Sequence, residues 1–422
     1  MADNGPSFAV IGGGIGGAAA ALSLHGIGVE VDVFEAVGER RALGVGINLL
    51  PHAVRELDAL GLLDALRARA IAPELLVYCT RRGQEIWREP RGAAAGYPWP
   101  QLSVHRGVLQ EVLLDALVDR LGADHLHLGH RLVQVDERGA RPVAVFDGGA
   151  RAEADVLVAA EGIHSVLRSQ RYPDEGPPLW NGALLWRAIA EVAPVLDGRT
   201  MVWAGHPEQK FVAYPIADLP DGRQALNFIA ELRRPESELG KAESWNRTGS
   251  LGDFLPEFED WTFGWLDAPS VIRAAPETFL FPMVDRDPVP QWTFGRTTLL
   301  GDAAHPMYPI GSNGASQAIL DARVLAGCVR RHPDDVDEAL ARYEAARRPA
   351  TAAIVTANRG LGPELPMQLV EQRAPDGFDD IGEVITPEEI LDVTEGYRRT
   401  AGFALAELQR GVSLLEEPYS TP

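Results

Sequence analysis

The chain has 422 residues, 46% of them hydrophobic and 23% charged, with a formal net charge of -21 at pH 7. That length exceeds one compact core and predicts two or three domains, while the hydrophobic share excludes general disorder. The acidic excess excludes nucleic acid or an anionic membrane surface as a main partner, because both are held through surplus Lys and Arg.

Met1 to Ser7 carries neither a positive region nor an apolar segment, so no signal peptide is expected. No run approaches the roughly 18 apolar residues of a membrane-spanning helix. Cys79 and Cys328 lie far apart and in no metal-ligand spacing, which predicts no disulfide framework and fits a reducing, cytoplasmic setting.

Phe8 to Ile11 is a short apolar run suited to a buried parallel strand, and it enters the glycine-rich turn Gly12-Gly13-Gly14-Ile15-Gly16-Gly17. Gly12, Gly14 and Gly17 satisfy GxGxxG. An alanine-rich helix follows, ends at His25-Gly26, and a second strand closes at Phe34-Glu35. In that context the turn predicts a dinucleotide site, since glycine permits close backbone approach and the helix N-terminus offers amides to a pyrophosphate. Glu35 is placed to accept hydrogen bonds from a ribose. FAD and NAD stay tied at this point, because both carry the adenosine diphosphate that the unit recognises.

Further along, Pro51 to Leu57 reads as a loop running into an amphipathic helix that ends near Leu60-Gly61, Leu75 to Trp87 as a hairpin turning at Arg82-Gly83, and Ser103 to Leu109 as the lead into a helix through about Leu121. Leu126 to Val135 reads as one strand. From Leu184 to Leu232 the runs LLWRAIAEV, TMVWA, KFVAYPIA and ALNFIAEL, parted by polar, Gly and Pro turns, predict an antiparallel sheet. His125, His127 and His130 are close in sequence, but alternation puts only the first two on one face and no acid is fixed beside them. Metal binding is therefore not expected.

Two later segments favour a flavin. The strand from Asp155 ends in Glu161-Gly162 followed by Ser165 and Arg168, and TTLLGDAAH is followed by Pro309, Gly311 and a helix that starts around Gly314 and contains Asp321. An acid after a strand can bind the hydroxyls of a polyol, and the next helix can aim its positive end at a ring that becomes anionic on reduction.

GxGxxG with Glu35, AAEGIHSVLR and GDAAHPMYPIGSNGASQAILDA, in this order, resemble the three fingerprints of the single-component FAD-dependent aromatic hydroxylases. The resemblance runs from about Phe8 to Pro349. It implies an α/β fold: a Rossmann-like FAD-binding domain with an inserted mixed or antiparallel-sheet substrate domain and a C-terminal helical segment. The expected boundaries are 1–70, 101–178 and 286–360 for the FAD domain, 71–100 and 179–285 for the substrate domain, and 361–422 for the extension.

By the same resemblance, Gly12, Gly14, Gly17, Glu35, Arg41, Gly46, Ile47, Arg106, Gly162, Arg168, Asp302, Gly311, Gly314 and Ala315 bind the cofactor. Only one Rossmann fingerprint is present, so NADH or NADPH is expected to reduce the flavin and leave. Reduced flavin and O2 then deliver oxygen, as a hydroperoxide, to an electron-rich aromatic or heteroaromatic carboxylic acid of phenazine-like or hydroxybenzoate-like form, with or without loss of the carboxylate. Epoxidation or Baeyer-Villiger oxidation of a polycyclic substrate is the alternative. A monomer or homodimer is expected.

Pro309 should border the reactive edge of the flavin. Trp186, Phe211 and Tyr214 are candidates to line the substrate pocket or to fill the core. Lys210 or Arg187 is a candidate anchor for a substrate carboxylate, although Lys210 also reads as a solvated charge at a strand end. Departures from the resemblance are Glu161 where aspartate is usual, Ala159 where glycine is common, and Ser312 and Ser316 in place of a glycine and an asparagine. The serines fit a phenazine-type branch.

Overall fold

The structure is a computed structural model and describes residues 5–40, 44–241 and 248–416. Two large sheets organise it. The first has six strands in the order Thr293–Phe294, Thr297–Leu299, Val156–Ala159, Phe8–Ile11, Val31–Glu35 and Leu126–Leu128, parallel apart from the terminal hairpin. The fully buried runs FAVI and VLVA take its centre, as continuous apolar strands do in a sheet covered on both faces. Helix Ile15–His25 lies against helix Gly314–Arg331, and Ala18 to Ala21 are completely buried where small side chains let the backbones approach.

The second sheet has seven strands in the order Thr278–Asp285, Leu179–Val192, Gln224–Arg233, Gln209–Asp218, Thr200–His206, Leu75–Cys79 and Glu85–Pro90. It is antiparallel except where Leu75–Cys79 runs alongside Thr200–His206. The Leu75 hairpin thus joins the strands of the Leu184–Leu232 region, with Gly83 at φ +78° in its turn. This is the α/β architecture with an inserted antiparallel-rich sheet and C-terminal helices.

Alternation along the strands sorts the aromatic candidates. Trp186 and Phe211 pack with Phe228, Phe254 and Phe258 in the core on one face, whereas Tyr214 belongs to the opposite face. Each fully buried ring of that core contributes ~1.5–3 kcal/mol relative to exposure. The expected strand from Leu126 to Val135 is two strands: Leu126–Leu128 joins the parallel sheet, and Leu132–Asp136 joins a separate three-stranded sheet. Gly129, at φ +75°, makes the break.

The segment after 360 lies on the second sheet. Met367, Val370, Ile385 and Ile390 join one apolar cluster with Tyr78, Trp203, Val212 and Tyr214. Tyr397, from helix Pro387–Thr400, reaches further inward. Its hydroxyl accepts from Asn313 Nδ2 (2.8 Å) and donates toward Asn358 Oδ1 (2.7 Å), with the Ile310 carbonyl at 3.2 Å. Tyr397→Phe leaves these buried groups short of a partner, so a loss of ~1–3 kcal/mol is expected in urea unfolding. An unchanged midpoint would show the hydroxyl to be idle.

Candidate active site

A cleft of about 1050 Å³ runs from the ends of the parallel strands to one face of the seven-stranded sheet. It lies at the upper end of the ~300–1,000 Å³ usual for small-molecule sites, in keeping with a large ligand.

At its first end lies the turn after Phe8–Ile11. Glu35 projects from the neighbouring strand, accepting from Gly13 N (2.6 Å) and Val37 N (2.9 Å), and Gln110 Nε2 donates to the Gly13 carbonyl at 2.9 Å. Helices Ile15–His25 and Gly314–Arg331 both begin on the cleft with no side-chain cap and no acid in the first turn. Their first amides therefore await an acceptor, which a phosphate or an anionic ring supplies.

Gly12, Gly14, Glu35, Ile47, Arg106, Gly162, Asp302, Pro309, Gly314 and Ala315 all line the cleft. Asp302 opens onto it yet is surrounded by protein, and burial pushes its carboxyl up against the attraction of His305 and Arg106. The donor set fits an FAD: two helix N-termini and Arg106 for the phosphates, and carboxylates at Glu35 and Asp302 for hydroxyls.

Among the described residues, four expected cofactor residues sit differently: Gly17, Gly311, Arg168 and Gly46. Gly17 is under the turn, packed against Gly12 and Val10. Gly311 is pressed against Tyr397. Arg168 is buried and turned away from the cleft, paired with Glu175 (2.5 Å) and donating to the carbonyls of Ala304 (2.7 Å) and Asp287 (2.8 Å). It pins the loop after Gly301 from behind. Arg41 lies outside the described residues.

Gly46 is not a lining residue but a clamped one. Its amide donates to Asn227 Oδ1 (2.7 Å), and its carbonyl accepts from Tyr214 Oη (2.7 Å) and Arg187 Nη2 (2.9 Å). A Cβ at this position would lie 2.6 Å from Asn227 Cβ, so the close approach requires glycine. Three side chains of the second sheet thus fix the strand Gly46–Leu49 next to the dinucleotide end.

On the sheet face, Leu185, Val212 and Ile229 form an apolar floor, with Arg187, Lys210 and Tyr214 projecting from it. Lys210 is not a solvated strand end: it is 3% exposed, 2.8 Å from Glu231 Oε2 and 2.5 Å from Glu364 Oε2. These carboxylates hold its ammonium charged in spite of burial. Arg187 has no carboxylate partner among the described residues, and its buried Nε has no hydrogen-bond partner.

Glu161 caps helix Val166–Arg171, accepting from Ser165 Oγ (2.6 Å) and Val166 N (3.0 Å), and burial pushes its carboxyl up to about 7. Ser312 adopts φ +60°, the left-handed region that suits the glycine it replaces. Ser316 Oγ accepts from Leu50 N at 3.1 Å. His305 is buried and hydrogen-bonded to Asp321, in keeping with a loop role. Asp32 Oδ1 stands 3.2 Å from His125 Nδ1 and 3.0 Å from His127 Nε2, so an acid does sit beside the histidines. Among the described residues, no group of three such side chains could hold a metal.

Sequence reasoning missed Asn227, Glu231, Glu364 and Tyr397. The first two had a signal: in ALNFIAEL they are polar residues on the same face of an apolar strand. Glu364 had none, because its partner Lys210 is 154 residues away.

The description "FAD binding domain" matches residues 7–246 and 281–358. The phenazine 1,6-dicarboxylic acid hydroxylase PhzS of Lysobacter antibioticus is 46% identical over 367 residues, 83% of this chain and 88% of that protein. A 3-amino-4-hydroxybenzoate 2-monooxygenase of Streptomyces cremeus is 33% identical over 371 residues, 86% of this chain and 89% of its own. Among solved structures, a salicylate hydroxylase substrate complex superposes with a TM-score of 0.74 at 22% identity, covering 98% of this chain and 99% of its own.

Proposed function

The chain belongs to the FAD binding domain family and is an FAD-dependent aromatic hydroxylase, and from that premise we propose that its substrate is a fused heteroaromatic carboxylic acid, phenazine-like in size, anchored by Arg187. One observation carries this reading: a half-buried guanidinium whose buried Nε is unpartnered and which has no ion-pair partner among the described residues, at the edge of an apolar floor inside the cleft. A desolvated cation in that position calls for an anion, and a planar fork matches a carboxylate. The relative PhzS is named for a phenazine dicarboxylic acid, and that agrees with the flat, apolar character of the floor.

FAD, when bound, supplies the redox and oxygen-transfer chemistry. The chain's own residues supply position. The uncapped helix N-termini and Arg106 hold the phosphates, while Glu35 and Asp302 hold hydroxyls. Pro309 and Ile310 line the cleft where they would border the ring, the floor would seat the aromatic substrate, and Tyr214, Asn227 and Arg187 keep Gly46 in place. NADH or NADPH, lacking a fingerprint of its own, docks transiently near Gly162. The reaction belongs to a cytoplasmic setting, in keeping with two buried, unpaired cysteines.

The test is aerobic NADH and NADPH oxidation by the purified yellow protein with a panel of phenazine carboxylates, hydroxybenzoates and hydroxyquinolines, scoring product. Stimulation with hydroxylated product is expected from the phenazine carboxylates. Arg187→Met should raise KM for these acids about a hundredfold while most of the FAD is retained, because Asn227 and Tyr214 still hold Gly46. An unchanged KM would remove the anchor from the account.

A further inference from the structure

Lys210 and Glu231 stand opposite one another on paired strands, and Glu364 enters from the segment that follows the helix Val336–Arg359. All three line the cleft, and none is more than 7% exposed. One ammonium faces two carboxylates, so this part of the wall carries an excess negative charge. A structural ion pair would need one acid. Lys210 Nζ meets both acids, but one positive charge offsets only one of them, and the second stays costly in a buried site until another donor or cation reaches it.

The register locates this group relative to Arg187. Arg187 pairs with Ile229, and Glu231 lies one same-face step further along that strand. One strand spacing and two residues of rise place the two backbones ~8 Å apart. Leu185, Val212 and Ile229 lie around and between them. The cleft therefore has a cationic pole and an anionic pole across an apolar floor of fused-ring dimensions.

Resting on the Arg187 reading above, we infer that Glu231, Lys210 and Glu364 form a second recognition pole, which takes a hydrogen-bond donor on the far ring of the substrate. That donor is a hydroxyl, an amino group or a protonated carboxyl, and an ionised second carboxylate is repelled. Burial already raises the Glu231 carboxyl against the pull of Lys210, and a donor from the substrate relieves that cost.

The holoenzyme is titrated at neutral pH, following flavin absorbance, with three probes that differ at one ring position: phenazine-1-carboxylate, 6-hydroxyphenazine-1-carboxylate and phenazine-1,6-dicarboxylate. The hydroxy acid is expected to bind about tenfold more tightly than either of the others, the gain of one hydrogen bond to a charged group. Glu231→Gln and Glu364→Gln keep shape and FAD content, and should shrink that preference below about threefold while strengthening dicarboxylate binding.

A dicarboxylate that binds the wild-type protein as tightly as the hydroxy acid would overturn the second pole, as would a preference left intact in both glutamine variants. Arg187→Met separates the two readings, since it should weaken all three probes whatever the second pole does. If none of the probes perturbs the flavin, the substrate reading falls and this pole falls with it.

Discussion

Gly17→Ala is expected to give a colourless protein, with FAD affinity lowered more than about a hundredfold and apoprotein stability reduced by ~1–3 kcal/mol. A Cβ on Gly17 would lie 1.9 Å from the Gly12 carbonyl oxygen and 3.3 Å from Val10 Cγ1. Neither neighbour can yield. Gly12 is itself held at φ +109°, where a Cβ would meet the Ala160 carbonyl at 2.4 Å. The helix cannot withdraw either, because Ala18 to Ala21 are completely buried. The turn must therefore open, and the amides at the start of the helix lose their aim.

Gly14→Ala supplies the contrast. Nothing lies within 4 Å of a Cβ there, and the backbone is in an ordinary region at φ -70°. Its apoprotein should melt like the wild type, and only FAD retention should suffer, since Gly14 lines the cleft. Apoprotein melting and the ratio of flavin to protein absorbance report the two effects separately. Wild-type flavin content in Gly17→Ala would refute the packing argument.

The two glycines also show what the sequence makes legible. Gly12, Gly14 and Gly17 announce a dinucleotide turn together, because strand, turn and helix are local features read from adjacent residues. Their division of labour, one facing the ligand and one packing helix on strand, depends on neighbours such as Ala160, which the chain brings in from elsewhere. Alternation made the second sheet legible but left the face of Trp186, Phe211 and Tyr214 open, since period two says which residues share a face and not which face meets the cleft. Lys210 was harder still. Its environment is set by Glu364, from a part of the chain where no motif stands out. Arg168 illustrates the reverse: its place in a fingerprint suggested a ligand contact, and the structure uses it as a pin behind the loop.

Asp321→Asn is expected to destabilise the protein by ~3–5 kcal/mol at pH 7, the range for breaking a buried charge pair by removing one partner. Asp321 is fully buried, and its Oδ2 accepts from Gly301 N (3.0 Å) and lies 2.5 Å from His305 Nε2, while its Oδ1 accepts from Arg347 Nε at 2.7 Å. Asparagine keeps the outline but loses the charge and one acceptor, leaving the largely buried Arg347 uncompensated. The sign of the pH dependence follows from the same contacts. Burial pushes the Asp321 carboxyl up, but His305 and Arg347 outweigh it and hold the group below its ordinary value. A carboxyl depressed by folding contributes stability above its unfolded pKa of ~3.9 and loses that contribution as pH falls toward the folded value. The gap between wild type and variant in urea unfolding should therefore stay level from about pH 7 to 5 and narrow below about pH 4. A gap that widens in acid, or none at pH 7, would contradict it. Since Asp321 grips the amide of Gly301, the residue before Asp302, the variant should also retain less FAD than its stability alone dictates. Restoring the stability with a cosolvent would then leave the flavin deficit in place, because a loop that has lost its grip stays misplaced after the rest of the fold has recovered.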